Sequence, residues 1–217
     1  MKSKNLISII ITLAVIIFTF GNSNAQLLNI SVKGGYNLSD ISGDYPYETK
    51  NKSGFNFYVS KDIINLLVLT LSGEAGYTQK GYDEDMIITN KFGVETGREE
   101  FHNKLNYIDI SILGKVKIPG IIVFPYLLAG PSLGFKVGSS VSSSGTEPIN
   151  FPEREQFLED FKSTSFGFKF GLGVEIGLPV ISILAEGRYN PDITTSYEKD
   201  NIKVKNRVFE FLLGVKF

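Results

Sequence analysis

Ser165-Phe166-Gly167-Phe168-Lys169-Phe170-Gly171-Leu172-Gly173-Val174-Glu175-Ile176-Gly177-Leu178 alternates without a break between bulky apolar residues and small or charged ones. Successive side chains of a β-strand point to opposite faces, so a period of two predicts a strand with one apolar and one polar face. A helix would scatter these phenylalanines around its whole circumference. The carboxyl terminus repeats the pattern, with Phe209, Phe211, Leu213, Val215 and Phe217 opposed to Glu210, Gly214 and Lys216, and Leu212 the exception. Ile108, Ile110, Ile112, Val116 and Ile118 stand against Tyr107, Asp109, Ser111, Lys115 and Lys117, with Gly114 on the apolar side. Leu67, Leu69, Leu71, Ala75 and Tyr77 oppose Thr70, Ser72, Glu74 and Thr78. Leu28, Ile30, Val32, Tyr36 and Leu38 oppose Asn29, Ser31, Lys33, Gly35 and Asn37. Shorter alternations through Phe55-Phe57-Val59, Val123-Leu127-Leu133-Phe135 and Ile181-Ile183-Tyr189 bring the total to about eight strands, the smallest usual size of an outer-membrane barrel.

The links between these strands alternate in length. Residues 61–65, 119–120 and 178–179 form short links, while 39–51, 81–103, 138–162 and 191–206 form long polar ones. Short inner turns and long outer loops are the asymmetry of a transmembrane barrel, so both termini are placed on the periplasmic side. The expected fold is all-β, an eight-stranded antiparallel up-and-down transmembrane β-barrel. Tyr36, Phe55, Tyr77, Phe135, Phe166, Tyr189 and Phe209 then gather near the outer end as an aromatic girdle. The inner girdle is poor, and Phe217 is its clearest member. A secreted lipocalin-like barrel has the same periodicity with its faces reversed, but its polar face would be dense in charge. Here that face is rich in Gly and Ser, which suit a crowded interior.

Lys2 and Lys4 precede an apolar run from Leu6 to Phe20, followed by the small-x-small site Ser23-Asn24-Ala25. This is the pattern of a secretory signal peptide, so residues 1–25 are read as a cleaved leader and 26–217 as one barrel domain. No later stretch reaches the roughly eighteen apolar residues that a membrane helix needs. With 0 Cys, the chain has no disulfide, thiolate metal site or acceptor for a lipid anchor. A formal net charge of -1 gives no reason to expect nucleic acid as a partner.

The polar face carries both signs of charge. Lys33, Glu74, Asp109, Lys115, Lys169, Glu175, Glu186, Arg188 and Glu210 are predicted to form a cross-strand charge network inside the barrel, with Lys117 and Lys216 on the same face. An eight-stranded barrel is only wide enough for its own side chains, whereas aqueous channels take about sixteen strands. The lumen is therefore expected to be closed. On this view Val174→Arg disturbs the lipid side and Gly173→Ser is much milder.

Other candidates have plainer readings. His102, the 1 His of the chain, would have to serve any His-dependent lipid-modifying or proteolytic chemistry, yet no Ser or Asp spacing around it marks a catalytic set. Asp83, Glu84 and Asp85, with Glu99 and Glu100 near the far end of the same link, could converge on a hard cation but match no calcium loop. Gly171, Gly173 and Gly177 lie within a strand with no helix following, so close packing explains them better than phosphate binding. No catalytic, cofactor or metal residue is therefore assigned. Lys80, Lys104, Lys162 and Arg207 fall near the outer membrane boundary, where lipopolysaccharide phosphates could be met. Phe151, Phe157, Leu158 and Phe161 are unexpectedly apolar for an outer loop, and either tuck over the barrel mouth or bind a protein partner.

The chain also resembles the PorT-like or outer membrane protein β-barrel domain family, often labelled porin-family and related in architecture to OmpX-type small barrels. The resemblance covers nearly all of the mature chain. It is carried by Val32-Lys33-Gly34-Gly35-Tyr36-Asn37-Leu38-Ser39, Gly81-Tyr82, Leu105-Asn106-Tyr107-Ile108-Asp109-Ile110 and Pro125-Tyr126-Leu127-Leu128-Ala129-Gly130-Pro131-Ser132. Gly171-x-Gly173, Gly187-Arg188-Tyr189-Asn190 and Leu213-Gly214-Val215-Lys216-Phe217 follow in order. The chain departs from the family at Ser111, where proline is common. The resemblance implies a fold and an outer-membrane location, Phe217 as a carboxyl-terminal signal for the barrel-assembly machinery, and no shared catalytic activity. The expected role is an envelope structural or interaction component without a cofactor, with a small-solute porin as the alternative.

Overall fold

The computed structural model describes residues 29–46, 48–89, 92, 95–144, 152–199 and 202–217. The leader expected at residues 1–25, and Phe151, lie outside them. Eight long strands wind up and down in chain order: β1 (Ile30–Gly43), β3 (Lys52–Asn65), β4 (Leu69–Thr89), β5 (Glu95–Lys117), β6 (Val123–Ser143), β7 (Thr164–Gly177), β8 (Ser182–Pro191) and β10 (Ile202–Lys216). Each pairs antiparallel with its neighbour, and β10 returns to β1 along a register from Ser31↔Lys216 to Gly43↔Val204. That closure removes both sheet edges, so each long strand is paired on both sides, which a hydrocarbon surround demands. Among the described residues, two short strands, β2 (Thr49–Lys50) and β9 (Tyr197–Lys199), add to the outer rim, and one helix, α1 (Pro152–Glu159), lies between β6 and β7.

The alternation resolves into an outside and an inside. On β7, Phe166, Phe170 and Leu172 are exposed while Ser165, Gly167, Lys169 and Gly173 are buried. On β10, Phe209, Phe211 and Leu213 are exposed and Val208, Glu210 and Leu212 buried. At Ser111, where the family commonly has proline, β5 runs unbroken between partners Glu74 and Ser132.

The strands reach further than the links suggested. β3 continues through residues 61–65, and the inner turn is 66–68, closed by the Leu66 amide donating to the Leu69 carbonyl at 2.8 Å. The expected loop 81–103 is mostly strand, since β4 and β5 stay in register past Asp83↔His102 to Ile88↔Gly97 and pair on to Thr89↔Glu95 across a register shift. Above the bilayer both faces of a hairpin can be polar, so backbone pairing persists where side-chain alternation no longer reports it. Gly81 opens this extension with φ 141°, and a Cβ there would meet the Asn103 carbonyl oxygen at 2.0 Å, so only glycine fits.

Candidate functional site: the charged lumen

Every long strand sends at least one polar side chain to a single layer across the barrel axis. Lys33 comes from β1, Tyr58 from β3, Glu74 from β4, Asp109 from β5, Tyr126 from β6, Lys169 from β7, Glu186 and Arg188 from β8, and Glu210 from β10. Glu74 is the hub. It receives the Lys33 ammonium at 2.5 Å and two guanidinium nitrogens of Arg188 at 2.6 and 2.9 Å, and the Lys169 ammonium lies 3.5 Å away. Glu186 accepts from Lys33 at 3.3 Å, from the Tyr126 hydroxyl at 2.6 Å and from Arg188. Asp109 stands 3.7 Å from Lys169. Glu210 accepts from the Tyr58 hydroxyl at 2.8 Å and lies 3.9 Å from Arg188. The charged side chains of this layer are at most 1% exposed, so each charge depends on its partners rather than on water.

Two further layers flank this one. Toward the periplasm, Lys216 meets Asp62 at 2.7 Å, Lys117 meets Glu175 at 2.8 Å and Lys115 lies 3.7 Å from Asp62. The nine charges expected to form one network thus divide, Lys115 and Glu175 belonging to the inner layer and the other seven to the central one. Toward the outside, Lys80 pairs with Asp192 at 3.1 Å, and Asp192 also accepts from Ser196 and Asn206. Asp62 and Asp192 were hidden from sequence reading because both sat in stretches read as links. Tyr58 and Tyr126 were legible on the polar face but attract no notice as uncharged residues.

Glycine makes room for those tyrosines. Tyr58 pairs with Gly76 and Tyr126 with Gly173, and a Cβ would strike the Tyr58 ring at 2.3 Å or the Tyr126 ring at 2.5 Å. Each ring lies across its glycine and extends its hydroxyl to a carboxylate, the arrangement of aromatic rescue. Against the expectation that Gly173→Ser is mild, the added side chain would meet the Tyr126 ring that reaches Glu186.

The outer mouth is capped by apolar packing. Leu158 and Phe161 are buried with Ile41, Tyr82, Leu105, Tyr107, Tyr197 and Val204, and Phe157 lies against the Tyr197 ring at 4.3 Å between centroids. Of the two readings of this loop, the one over the barrel mouth describes these side chains. Lys136 fastens the end of α1 by donating to the carbonyls of Leu158, Glu159 and Phe161.

The remaining candidates disperse. Glu84 points inward and accepts from the Tyr45 hydroxyl, whereas Asp83 and Asp85 point outward to Lys52 at 3.2 Å and Lys50 at 2.6 Å. The acidic knot is thus split between two faces, since neighbouring strand residues alternate. Its hydrogen bond to Asp85 raises the Lys50 ammonium above the usual lysine range. His102 Nδ1 lies 2.9 Å from Asp83, and ligand atoms of Asp83, Glu100 and His102 fall within 4.8 Å of one another. The Lys52 ammonium compensates Asp83 there. Lys80 is no lipopolysaccharide contact, being 2% exposed inside the barrel. Lys162 pairs with Glu198 and Arg207 with Asp40, while Lys104 is half-exposed on the outer face. Phe217 donates its amide to the Ile30 carbonyl at 2.8 Å and leaves its ring on the outside surface.

A family model described as outer membrane protein beta-barrel domain matches residues 22–198. Among solved structures, the chain is similar to Neisserial surface protein A, with 20% identity, 87% of this chain and 97% of that one covered, and a TM-score of 0.46. It is similar to the attachment invasion locus protein Ail of Yersinia pestis, with 15% identity, 85% and 97% covered, and a TM-score of 0.39. OprG of Pseudomonas aeruginosa shows 12% identity, 86% and 93% covered, and a TM-score of 0.41. No curated protein matches the sequence.

Proposed function

The chain belongs to the outer membrane protein beta-barrel domain family, and from that premise we propose that it is a closed-lumen envelope component that acts through its outer surface and its rigidity rather than by conducting solutes. One observation carries the reading: the central layer draws a side chain from each of the eight long strands and bridges the lumen by ion pairs, as between Arg188 of β8 and Glu74 of β4, which stand four strands apart in the ring, or Lys169 of β7 and Glu74. A solute would have to break several buried pairs at once, and each costs several kcal/mol to leave uncompensated. The proposal places the chain within the PorT-like branch, exported with residues 1–25 removed, assembled by the barrel machinery through Phe217, and in contact with lipopolysaccharide and a protein partner at the outer rim.

Single-channel recording in planar bilayers tests this directly. Purified protein should give no reproducible openings, and large, long-lived conductance would replace the reading by a small-solute porin. Affinity capture from detergent-solubilised envelopes, repeated with the outer hairpin of β4 and β5 shortened, addresses the partner. Loss of a captured protein in the shortened form is the expected result.

A further inference from the structure

The three inner turns contain no polar side chain at all. They read Leu66-Leu67-Val68, Ile118-Pro119-Gly120-Ile121-Ile122 and Leu178-Pro179-Val180-Ile181. Their tips are the most open apolar groups of that end, with Leu67 84%, Ile121 97% and Val180 71% exposed. Turns that met only water would ordinarily be built from Gly, Asn, Asp and Ser, as loop chemistry favours. Here most charges of the inner end are turned into the barrel instead: Lys117, Glu175, Asp62 and Lys216 pair beneath the turns and are at most 13% exposed, with Lys61 the one charge on the outward face of β3 there.

The apolar turns continue the lipid-facing band. On β5 that band runs from Ile108 to Ile118, and ten steps of a strand tilted as in such barrels span about 25 Å, the height of the apolar belt. The belt is thus already filled when the chain reaches the turn, so Ile121 and Ile122 stand at its lower boundary. The same holds for Leu67 below Leu69 and Val180 below Leu178. An inner ring of aromatic side chains usually marks this boundary, and among the described residues Phe217 is its clearest member here. Aliphatic side chains, unlike Tyr and Trp, favour the acyl region over the headgroups.

We propose that the inner turns are sunk into the periplasmic leaflet, with Leu67, Ile121 and Val180 inserted at the boundary between phospholipid headgroups and acyl chains, so that they anchor the barrel in place of an inner aromatic girdle. The occupant of this surface is phospholipid. The inference rests on the membrane reading above, and the two can fail separately.

The chain's 0 Cys make a site-directed test simple. Single cysteines at Leu67, Ile121 and Val180, at mid-barrel Ile112 and at outer Lys50 are labelled with an environment-sensitive fluorophore in the refolded full barrel. Quenching by acyl-brominated phospholipid in the vesicle is compared with quenching by aqueous iodide. The three turn labels should lose fluorescence to bromine as Ile112 does and resist iodide, while Lys50 should show the reverse. Iodide quenching at Leu67, Ile121 and Val180 with bromine quenching kept at Ile112 would overturn the inference, leaving an aqueous rim free for a periplasmic protein. Loss of bromine quenching at Ile112 as well would overturn the membrane reading itself. Ile121→Lys gives a second readout: the heat-modifiable, folded fraction recovered in vesicles should fall, and an unchanged fraction counts against lipid anchoring.

Discussion

Replacing Glu74 by Gln removes the one carboxylate on which three cations converge. Lys33 would keep only Glu186, at 3.3 Å, Lys169 only Asp109, at 3.7 Å, and Arg188 would lose its two short bonds of 2.6 and 2.9 Å and keep Glu186. Breaking a buried pair by removing one partner costs about 3 to 5 kcal/mol, and the sharing of Glu74 among three cations places this change at the upper end. Glu210 is the informative contrast. It holds the Tyr58 hydroxyl at 2.8 Å but stands 3.9 Å from Arg188, which retains Glu74 and Glu186 without it. Glu210→Gln should therefore cost about 1.5 to 3 kcal/mol, the range for one hydrogen bond to a charged group. Removing a cation together with Glu74, as in Glu74→Gln with Lys169→Met, should recover part of the loss, with a coupling of roughly 0.5 to 3 kcal/mol. Urea unfolding of the refolded barrel in vesicles, followed by heat-modifiable gel mobility, measures the wild type, both Glu variants, Lys169→Met and the double variant on one scale. Equal destabilisation by the two single changes, or no recovery in the double one, would refute the hub assignment.

Other predictions follow from the faces and the packing. Val174→Arg places a charge on the lipid side of β7 and should impair membrane folding by about 2 to 4 kcal/mol if it lies near the midplane, measured by the same unfolding assay. Gly173→Ser should cost about 1 to 3 kcal/mol through displacement of Tyr126, whereas Gly187→Ala, where a Cβ would have nothing within 4 Å, should be neutral; equal effects would mean the clash is relieved without consequence. Phe161→Ala, in the cap, should cost up to about 3 to 5 kcal/mol locally and raise hydrogen exchange in α1 while leaving β7 and β10 protected. Deleting Phe217 should lower the barrel yield in the envelope without blocking export, and Leu at that position should not restore it if the aromatic ring is what the assembly machinery reads.

Wherever one face met lipid and the other did not, the primary structure was sufficient by itself. Ser165 to Leu178 could alternate so strictly only because a single slip would exchange Phe170 for Lys169 on the lipid side, so the faces, the strand count and the closed up-and-down architecture were legible residue by residue. The long outer strands were not, because beyond Gly81 both faces tolerate polar side chains and periodicity stops reporting on pairing. Asp62 and Asp192 stayed hidden for the same reason, in stretches that looked like links. Which charges meet was also beyond one-dimensional reading: Lys33 and Glu186 are far apart in the chain, and only ring closure with its particular register brings them to 3.3 Å. The sequence determined that the interior would hold balanced charge; barrel geometry decided that Glu74 would be its hub, that tyrosines would lean across glycines to reach Glu210 and Glu186, and that Lys80 would face inward, because strand stagger sets the height of each side chain along the axis.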